Sequence, residues 1–386
     1  MPHRGGPLWV GIAITMAVYG LLNYYVLRRG WRALAGTGAF RTVLLGVMLA
    51  GAVSVVAGRL LERSLPSLFA DAVTAFGYEY LIFILYLFLL TVLVDLIRLV
   101  DFVVPFFPES WRSARTGGRL AFALVVGTVV IALTAGTIQA LRFRTRIVPL
   151  SIAKPAGSLK TLRAVQISDV HVSPVLPASR LARIVDRVNA LAPDIVFITG
   201  DLASDDTPAR ELVRMSEFLT RLNPPLGVFA CTGNHEYYGG LEKTCAAIRA
   251  GGVRILQDEA VLVADSFYVA GRKDPTSVPR GGARAPLSEI LKGLDRSRPV
   301  ILLDHQPVHL EEAAAAGIDL QLSGHTHNGQ VFPINLINKG IYELNWGLLK
   351  KGPTWIYVTS GAGTWGPPVR LGSTSEIVLF EISFGR

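Results

Sequence analysis

The sequence predicts an α/β fold, a sandwich built on a mixed sheet, carried behind an N-terminal domain of four transmembrane helices. Three observations lead there. The first 150 residues contain four apolar stretches of bilayer-spanning length, about 20 residues each. From Leu162 onward, short apolar runs alternate with helical patterns and occasional hairpins, the texture of strands and helices in layers. Polar residues of metal-ligating type stand directly behind one apolar run after another, where open α/β sheets build their sites.

Composition supports the division. A chain of 386 residues has room for two or three domains, and 51% hydrophobic residues with a mean hydropathy of +0.42 is high for a soluble enzyme. The formal charge of +9 is unevenly spread: residues 1–150 hold 14 Arg, no Lys and 6 acids, net +8, which leaves +1 for the rest. The basic excess therefore reads as Arg flanking membrane helices, and a polyanion-binding surface on the second half is excluded. Cys231 and Cys245 provide neither a disulfide framework nor a thiolate metal site, and read as small buried residues.

In chain order, the first stretch runs from about Leu8 to Leu27 and stops at Arg28-Arg29. The second covers about Thr42 to Leu61 around Arg59, and the third about Tyr78 to Val100. The fourth covers about Leu120 to Leu141, before Arg142, Arg144 and Arg146. Four in succession favour a multi-pass transmembrane domain, residues 1–146, over buried soluble helices. The first is no cleavable signal peptide: it is long, lacks a small-residue cleavage site and has its Arg pair behind the apolar run. The loops after the first and third stretches carry Arg28, Arg29, Arg32, Arg41, Arg98, Arg112, Arg115 and Arg119. The opposite side carries Arg4, Arg59, Arg63, Arg142, Arg144 and Arg146. That excess puts those loops on the inner side of the cell (inner) membrane, and the C-terminal domain on its outer, extracytoplasmic face. Glu79 and Asp95 are expected to reach interfacial water or an arginine such as Arg98. Gly46, Gly51 and Gly58 permit close helix packing.

Arg142 to Lys160 is polar, contains Pro149, Pro155 and Gly157, and reads as a tether, with residues 147–161 as the linker and 162–386 as the following domain. There, Leu162–Ile167 is a strand, and Leu181, Ile184, Val185, Val188 and Leu191 recur at helical spacing behind Ser179 as N-cap. Ile195–Thr199 is a strand and Pro208–Leu222 a helix with Pro at its start. Val228–Thr232 is a strand, and Leu241–Ala250 a helix closed by Gly251-Gly252. Val261–Val263 and Phe267–Val269 form a hairpin. Val300–Leu303 and Leu320–Leu322 are strands flanking an Ala-rich helix, and Trp355–Thr359 and Ile377–Phe380 are late strands.

Each early strand delivers polar residues at its end: Ser168-Asp169-Val170-His171, then Gly200-Asp201, Gly233-Asn234-His235-Glu236, Asp304-His305, and Gly324-His325-Thr326-His327. Five of the seven histidines lie in these loops; only His3 and His309 do not. Neutral imidazole is the commonest metal ligand, and His325 and His327, two apart, can face one way on a strand or converge in a Gly-flanked turn. Core histidines would not segregate in this way, so the set points to a metal centre.

With D-x-H, GD, GNHE, a lone His and GHxH all present and in order, the sequence resembles the calcineurin-like metallophosphoesterase superfamily from Leu162 to the C-terminus. Gly361 to Arg370 is further similar to bacterial membrane- or envelope-associated members. The resemblance implies a calcineurin-like α/β sandwich with mixed sheets and a two-metal centre. Asp169, His171, Asp201 and His327 would hold one divalent cation, with Asp201 bridging to a second held by Asn234, His305 and His325. Carboxylate, imidazole and amide oxygen together suit Mn, Fe or Zn. Two such ions about 3.5–4 Å apart can activate a shared water and clamp both oxygens of an in-line displacement. His235, outside the ligand set, could protonate the leaving alkoxide as general acid.

Several neighbours carry two readings. Glu236 could orient His235 or start a helix, and Asp304 could support His305 or cap a turn. Arg370 could pair with a substrate phosphate or form an ordinary salt bridge. Trp346, Leu348, Leu349, Lys350 and Lys351 could touch lipid headgroups or lie in a half-buried hairpin. Two departures stand out. Leu202-Ala203-Ser204-Asp205-Asp206 contains no Asp-Arg-Gly, which disfavours phosphoprotein substrates, and Asn328 stands where envelope relatives more often have Gly.

The expectation is a membrane-anchored phosphoesterase in which hydroxide bridging two cations attacks a phosphoester or pyrophosphate. Its partners would be the lipid bilayer and a lipid-linked or envelope substrate, with no nucleic acid. A nuclease would need a basic groove, which a charge of +1 over residues 151–386 does not supply. A non-catalytic metal-binding membrane receptor or scaffold would need neither the full ligand set nor His235.

Overall fold

In the computed structural model, which describes residues 6–61, 67–112 and 116–385, the chain divides into two units, Met1–Ala135 and Gly136–Arg386. His3, Arg4, Arg63 and Arg115 lie outside the described residues. The first unit is helical: α1 (Gly6–Ala33), α2 (Gly38–Leu61), α3 (Ser67–Val103), a single turn α4 (Glu109–Arg112), and α5 (Thr116–Leu141), whose last turns count with the second unit. The four long helices cover the four apolar stretches. Among the described residues, two are long and apolar enough to cross a membrane, at Leu68–Val103 and Gly117–Leu141; the apolar part of α2 is shorter, Gly38–Ser54. Of the four expected spans, two therefore have the length and composition of a membrane crossing among the described residues.

Within this unit α2 and α3 pack closely. A Cβ at Gly51 would overlap the Tyr80 ring, and one at Gly58 would overlap Thr74, so these two glycines permit the approach; Gly46 faces open space. Asp95 pairs with Arg29 at 2.5 Å and accepts from the Tyr25 hydroxyl. Arg98, its expected partner, donates instead to the Gly117 carbonyl at 3.3 Å.

The second unit contains two six-stranded mixed sheets. The first runs β1 (Phe143–Ile152), β12 (Ser375–Phe384), β2 (Thr161–Ile167), β3 (Ile195–Thr199), β4 (Val228–Cys231) and β5 (Arg254–Ile255). The second runs β10 (Gly347–Lys351), β11 (Thr354–Val358), β9 (Leu320–Ser323), β8 (Val300–Leu303), β7 (Phe267–Gly271) and β6 (Glu259–Val263). Phe197, Phe267, Leu303, Leu322, Tyr357 and Phe380 are among the side chains that fill the space between the sheets. Helices α6 (Ala178–Ala190), α7 (Ala209–Leu219) and α9 (Leu241–Ala250) cover the outer face of the first sheet through Leu181, Ile184, Met215 and Ile248. Shorter helices α10 (Leu287–Ile290) and α11 (Leu310–Ala315) cover the second through Leu287, Ile290 and Ala313. The parallel core β2-β3-β4 and β9-β8-β7 brings the loops after β2, β3, β4, β8 and β9 to one end. Cys231 and Cys245 are buried and free, as expected.

Two boundaries differ from the sequence reading. Helix α6 starts behind Pro177 rather than Ser179; Pro at this position presets the backbone for helix entry. More consequentially, the stretch read as a tether is largely β1, paired in parallel with β12 over ten residues, Phe143↔Ser375 to Ile152↔Phe384. Val148, Leu150 and Ile152 point into the space between the sheets while Ile147, Pro149 and Ser151 point out. This is an alternating strand whose Arg and Pro residues made it look like a linker. Pro149 is tolerated because β1 is an edge strand. Leu150→Ala should therefore remove about 2–5 kcal/mol of stability and lower the thermal unfolding midpoint of the full chain by several degrees. A tether would leave the midpoint unmoved.

Candidate metal centre

The ends of β2, β3 and β9 carry their polar residues into the loop through an unusual backbone turn. Asp169, His171, Asp201, His325 and His327 all have positive φ, between 51° and 71°. Side chains other than glycine adopt this conformation at a cost of about 1–3 kcal/mol each, and here it swings successive side chains toward a common point. Asn328 shares it at φ 50°; Asn tolerates the left-handed region better than most residues, which accounts for its standing at a Gly-favoured position. The loops lock together by backbone bonds from His171 N–H to Asp201 O and from Asp169 N–H to Gly200 O, at 3.1 and 3.2 Å.

Six of the seven residues read as ligands from the sequence meet in overlapping groups whose donor atoms lie within 4.8 Å of one another, with His235 as a further member: Asp169, His171 and His327; His171, Asp201 and His235; Asp201, His305 and His325. His171 Nε2 and His327 Nε2 face each other at 3.0 Å, with Asp169 Oδ1 3.9 and 3.4 Å away. Asp201 Oδ2 stands between two histidines, 3.7 Å from His171 Nε2 and 3.1 Å from His305 Nε2. Asn234 Oδ1 lies 3.1 Å from His305 Nε2 and 2.9 Å from His325 Nδ1. Carboxylate, imidazole and amide oxygen atoms crowd together here, so the donor set fits divalent metal. His305 Nδ1 reaches the Thr199 carbonyl at 2.7 Å, which fixes the ring and turns Nε2 toward the centre. Gly233 leaves room for Asp201, whose Oδ1 occupies the space a Cβ would take.

The electrostatics follow the same division. Burial pushes the His171 and His325 pKa values down to about 3, assisted by the charges of His235 and His305 respectively. Burial and the neighbouring His171 hold His327 well below its ordinary value. These three imidazoles are neutral and ready to donate to a metal. Burial raises Asp169 to about 6. Burial also works against charge on Asp201 and His305, but their mutual attraction wins: Asp201 sits well below the carboxylate range and His305 well above its ordinary value. A cation taking His305 would displace that proton.

His235 shares a donor group with His171 and Asp201 and is in addition tied to two carboxylates. Its backbone N–H donates to Asp201 Oδ1 at 2.9 Å, and its Nδ1 lies 3.5 Å from Asp205 Oδ1. Burial disfavours its charged form, yet the Asp205 hydrogen bond and the charges of Asp201, Asp205 and Glu236 raise its pKa overall. Asp205 escaped the sequence reading, because an Asp four residues behind Asp201 carries no pattern of its own.

Of the two readings of Glu236 the helix-start one holds: its carboxylate caps the short helix α8 (Asn234–Gly239) by accepting from the Gly233 N–H at 2.7 Å, and, fully buried, it also accepts from the N–H groups of Asp201 and Leu202 at 3.0 and 2.9 Å, tying the β3 and β4 loops together. Two other expectations take a different shape. Asp304 turns away from His305 to Arg284 and Arg272, at 2.5 and 3.5 Å. Arg370 is 1% exposed. Its guanidinium donates to the carbonyls of His327, Ser360 and Gly363 at 3.1, 2.6 and 2.7 Å and to Ser373 Oγ at 3.0 Å. The structure therefore places it buried behind the GHxH loop, engaged by backbone carbonyls. Trp346 and Lys351 are engaged beside a β10–β11 hairpin, with Glu376 and Glu343.

A family model for calcineurin-like phosphoesterases matches residues 162–329. An uncharacterized metallophosphoesterase of Aquifex aeolicus is 37% identical over 225 residues, 57% of this chain and 85% of that protein. The chain belongs to the metallophosphoesterase family. As a metallophosphoesterase it is a phosphoester hydrolase. A Bos taurus relative named a transmembrane protein with metallophosphoesterase domain is 32% identical over 302 residues, covering 69% of this chain and 65% of that one. The chain spans 60% of the length of some other curated relatives. A solved 5'-nucleotidase precursor from Thermus thermophilus is similar with a TM-score of 0.35 and 16% identity, over 57% of this chain and 55% of that one.

Arg370→Lys separates the two readings of that arginine. An ammonium cannot span three carbonyls, so stability should fall by about 1.5–3 kcal/mol and bound metal should fall with it, read by thermal unfolding and elemental analysis. A phosphate-binding arginine would leave both unchanged and raise only KM.

Proposed function

We propose that this metallophosphoesterase is a membrane-anchored dinuclear enzyme that cleaves a lipid-linked phosphoester or pyrophosphate. The observation that carries the reading is the position of Asp201 Oδ2 between His171 and His305, 3.7 and 3.1 Å away. One carboxylate there serves two half-sites. Asp169, His171 and His327 complete the first, and Asn234, His305 and His325 complete the second. Two cations held so would supply the Lewis acidity that activates water and neutralises phosphoryl oxygens.

The chain's own residues do the rest. Glu236 and Gly233 keep Asp201 oriented by backbone contacts, and the buried imidazoles of His171, His325 and His327 accept no competing proton. His235, raised in pKa by Asp205, holds a proton at the edge of the centre for the departing oxygen. The two helices of bilayer-crossing length, with α1 and α2 as further spans of the anchor, keep the site near a bilayer, and the Arg distribution supports an outward-facing catalytic unit.

Asp201→Asn should abolish binding of both metals together, measured by elemental analysis; loss of one metal alone would contradict the shared carboxylate. His235→Ala should retain metal yet slow esters with poor leaving groups about 10²–10⁴-fold. Because a general acid fails as pH rises through its pKa, and Asp205 raises that of His235, Asp205→Asn should move the alkaline limb of kcat/KM to lower pH. A limb that stays in place would remove His235 from the role. Hydrolysis of a chromogenic phosphodiester by the full chain with added Mn tests the whole reading; inactivity with every divalent metal would end it.

A further inference from the structure

Helices on a protein surface turn their apolar stripe inward. The helix α12 (Ile334–Ile341), directly behind the GHxH loop, does the reverse. Its asparagines face the protein: Asn338 Nδ2 donates to the Thr326 carbonyl at 3.0 Å, between the two histidines of that loop, and the Asn335 side chain packs against Gly372, its Nδ2 3.0 Å from where a Cβ there would stand. Its aliphatic residues face out, with Ile334, Leu336, Ile337 and Ile341 exposed by 40, 54, 58 and 67%. Both flanks reach the metal centre. Tyr342, the next residue, has its ring 6.1 Å from that of His325. Trp365, 59% exposed, is bonded twice to Gln330 at 3.0 and 2.9 Å and stands 6.2 Å from the His235 ring.

The occupant of this face follows from its size and charge. Eight residues make a helix about 12 Å long, too small for the roughly 800 Å² per partner of a stable dimer. Shallow insertion at a bilayer surface needs no more than this. Lys339 is the helix's one ionisable residue and it has no acid, which complements anionic lipid. We propose that α12 is an interfacial helix. It seats Ile334, Ile337 and Ile341 in the outer hydrocarbon of an anionic bilayer, and so offers the metal centre to a phosphoester whose organic group is a lipid chain held in that bilayer. This rests on the hydrolase reading above and gives its lipid-linked substrate a route of entry.

The test uses the full chain in nanodiscs of phosphatidylglycerol and phosphatidylcholine. Ile337→Cys carrying an environment-sensitive fluorophore should be quenched by nitroxide-labelled lipid. The combined variant Leu336→Ser, Ile337→Ser, Ile341→Ser should keep kcat/KM on soluble bis-p-nitrophenyl phosphate. On disc-embedded phosphatidic acid or polyprenyl pyrophosphate it should lose about tenfold or more, the factor one inserted aliphatic side chain supplies. Absent quenching beside normal soluble turnover overturns the proposal, as does equal loss on both substrate types, or a dimer that the variant splits into monomers. Inactivity of the unmodified chain on the soluble ester with every divalent metal would instead sink the hydrolase reading, and quenching would still judge α12.

Discussion

Four imidazoles, two carboxylates and an amide oxygen share one buried volume, and left to themselves these electron-rich atoms repel. Everything else in the second unit bears on keeping them there. The parallel strands of both sheets end at the same edge, so residues far apart in sequence arrive together. The left-handed backbone at five of these residues is a local penalty that the sheets overcome, and it aims the side chains at a single point. A pair of cations on the Asp201 axis would turn that repulsion into coordination.

The layer behind these residues is built from charges that never reach the mouth of the site. Glu236 gathers backbone N–H groups from two loops, and Arg370 gathers backbone carbonyls from two others. Glu376 accepts from Trp346, Tyr357, Thr359 and Ser360. Each is buried and nearly saturated with hydrogen bonds, and buried charges persist in proteins on that condition. They act as cross-ties for loops that would otherwise have only their turns to define them.

The proposed ligands were legible because strand ends, histidine segregation and motif order all agreed on them, and the strands from Leu162 onward were legible for the same reason: apolar runs bounded by Gly. What escaped was tertiary in origin. Strand β1 alternates, but Arg144, Arg146 and Pro149 disguised it as a tether. Arg370 looked like a phosphate ligand because a cation behind a Gly-Pro loop cannot announce from sequence that neighbouring carbonyls will claim it. Asp205 shows its use only once His235 stands beside it. The membrane half was legible as apolar length, and the shorter apolar run of α2 shows where length alone stops.

Strand β12 lies between β1 and β2, paired with Phe143 through Ser375 on one side and with Leu162 through Ile382 on the other. Both neighbours leave the ribosome some two hundred residues before it does. Until then the first sheet has a slot down its middle with two open backbone edges, a state that invites mispairing. Completion of this enzyme is thus a late, long-range event, in which a distant segment must settle between two partners made long before it.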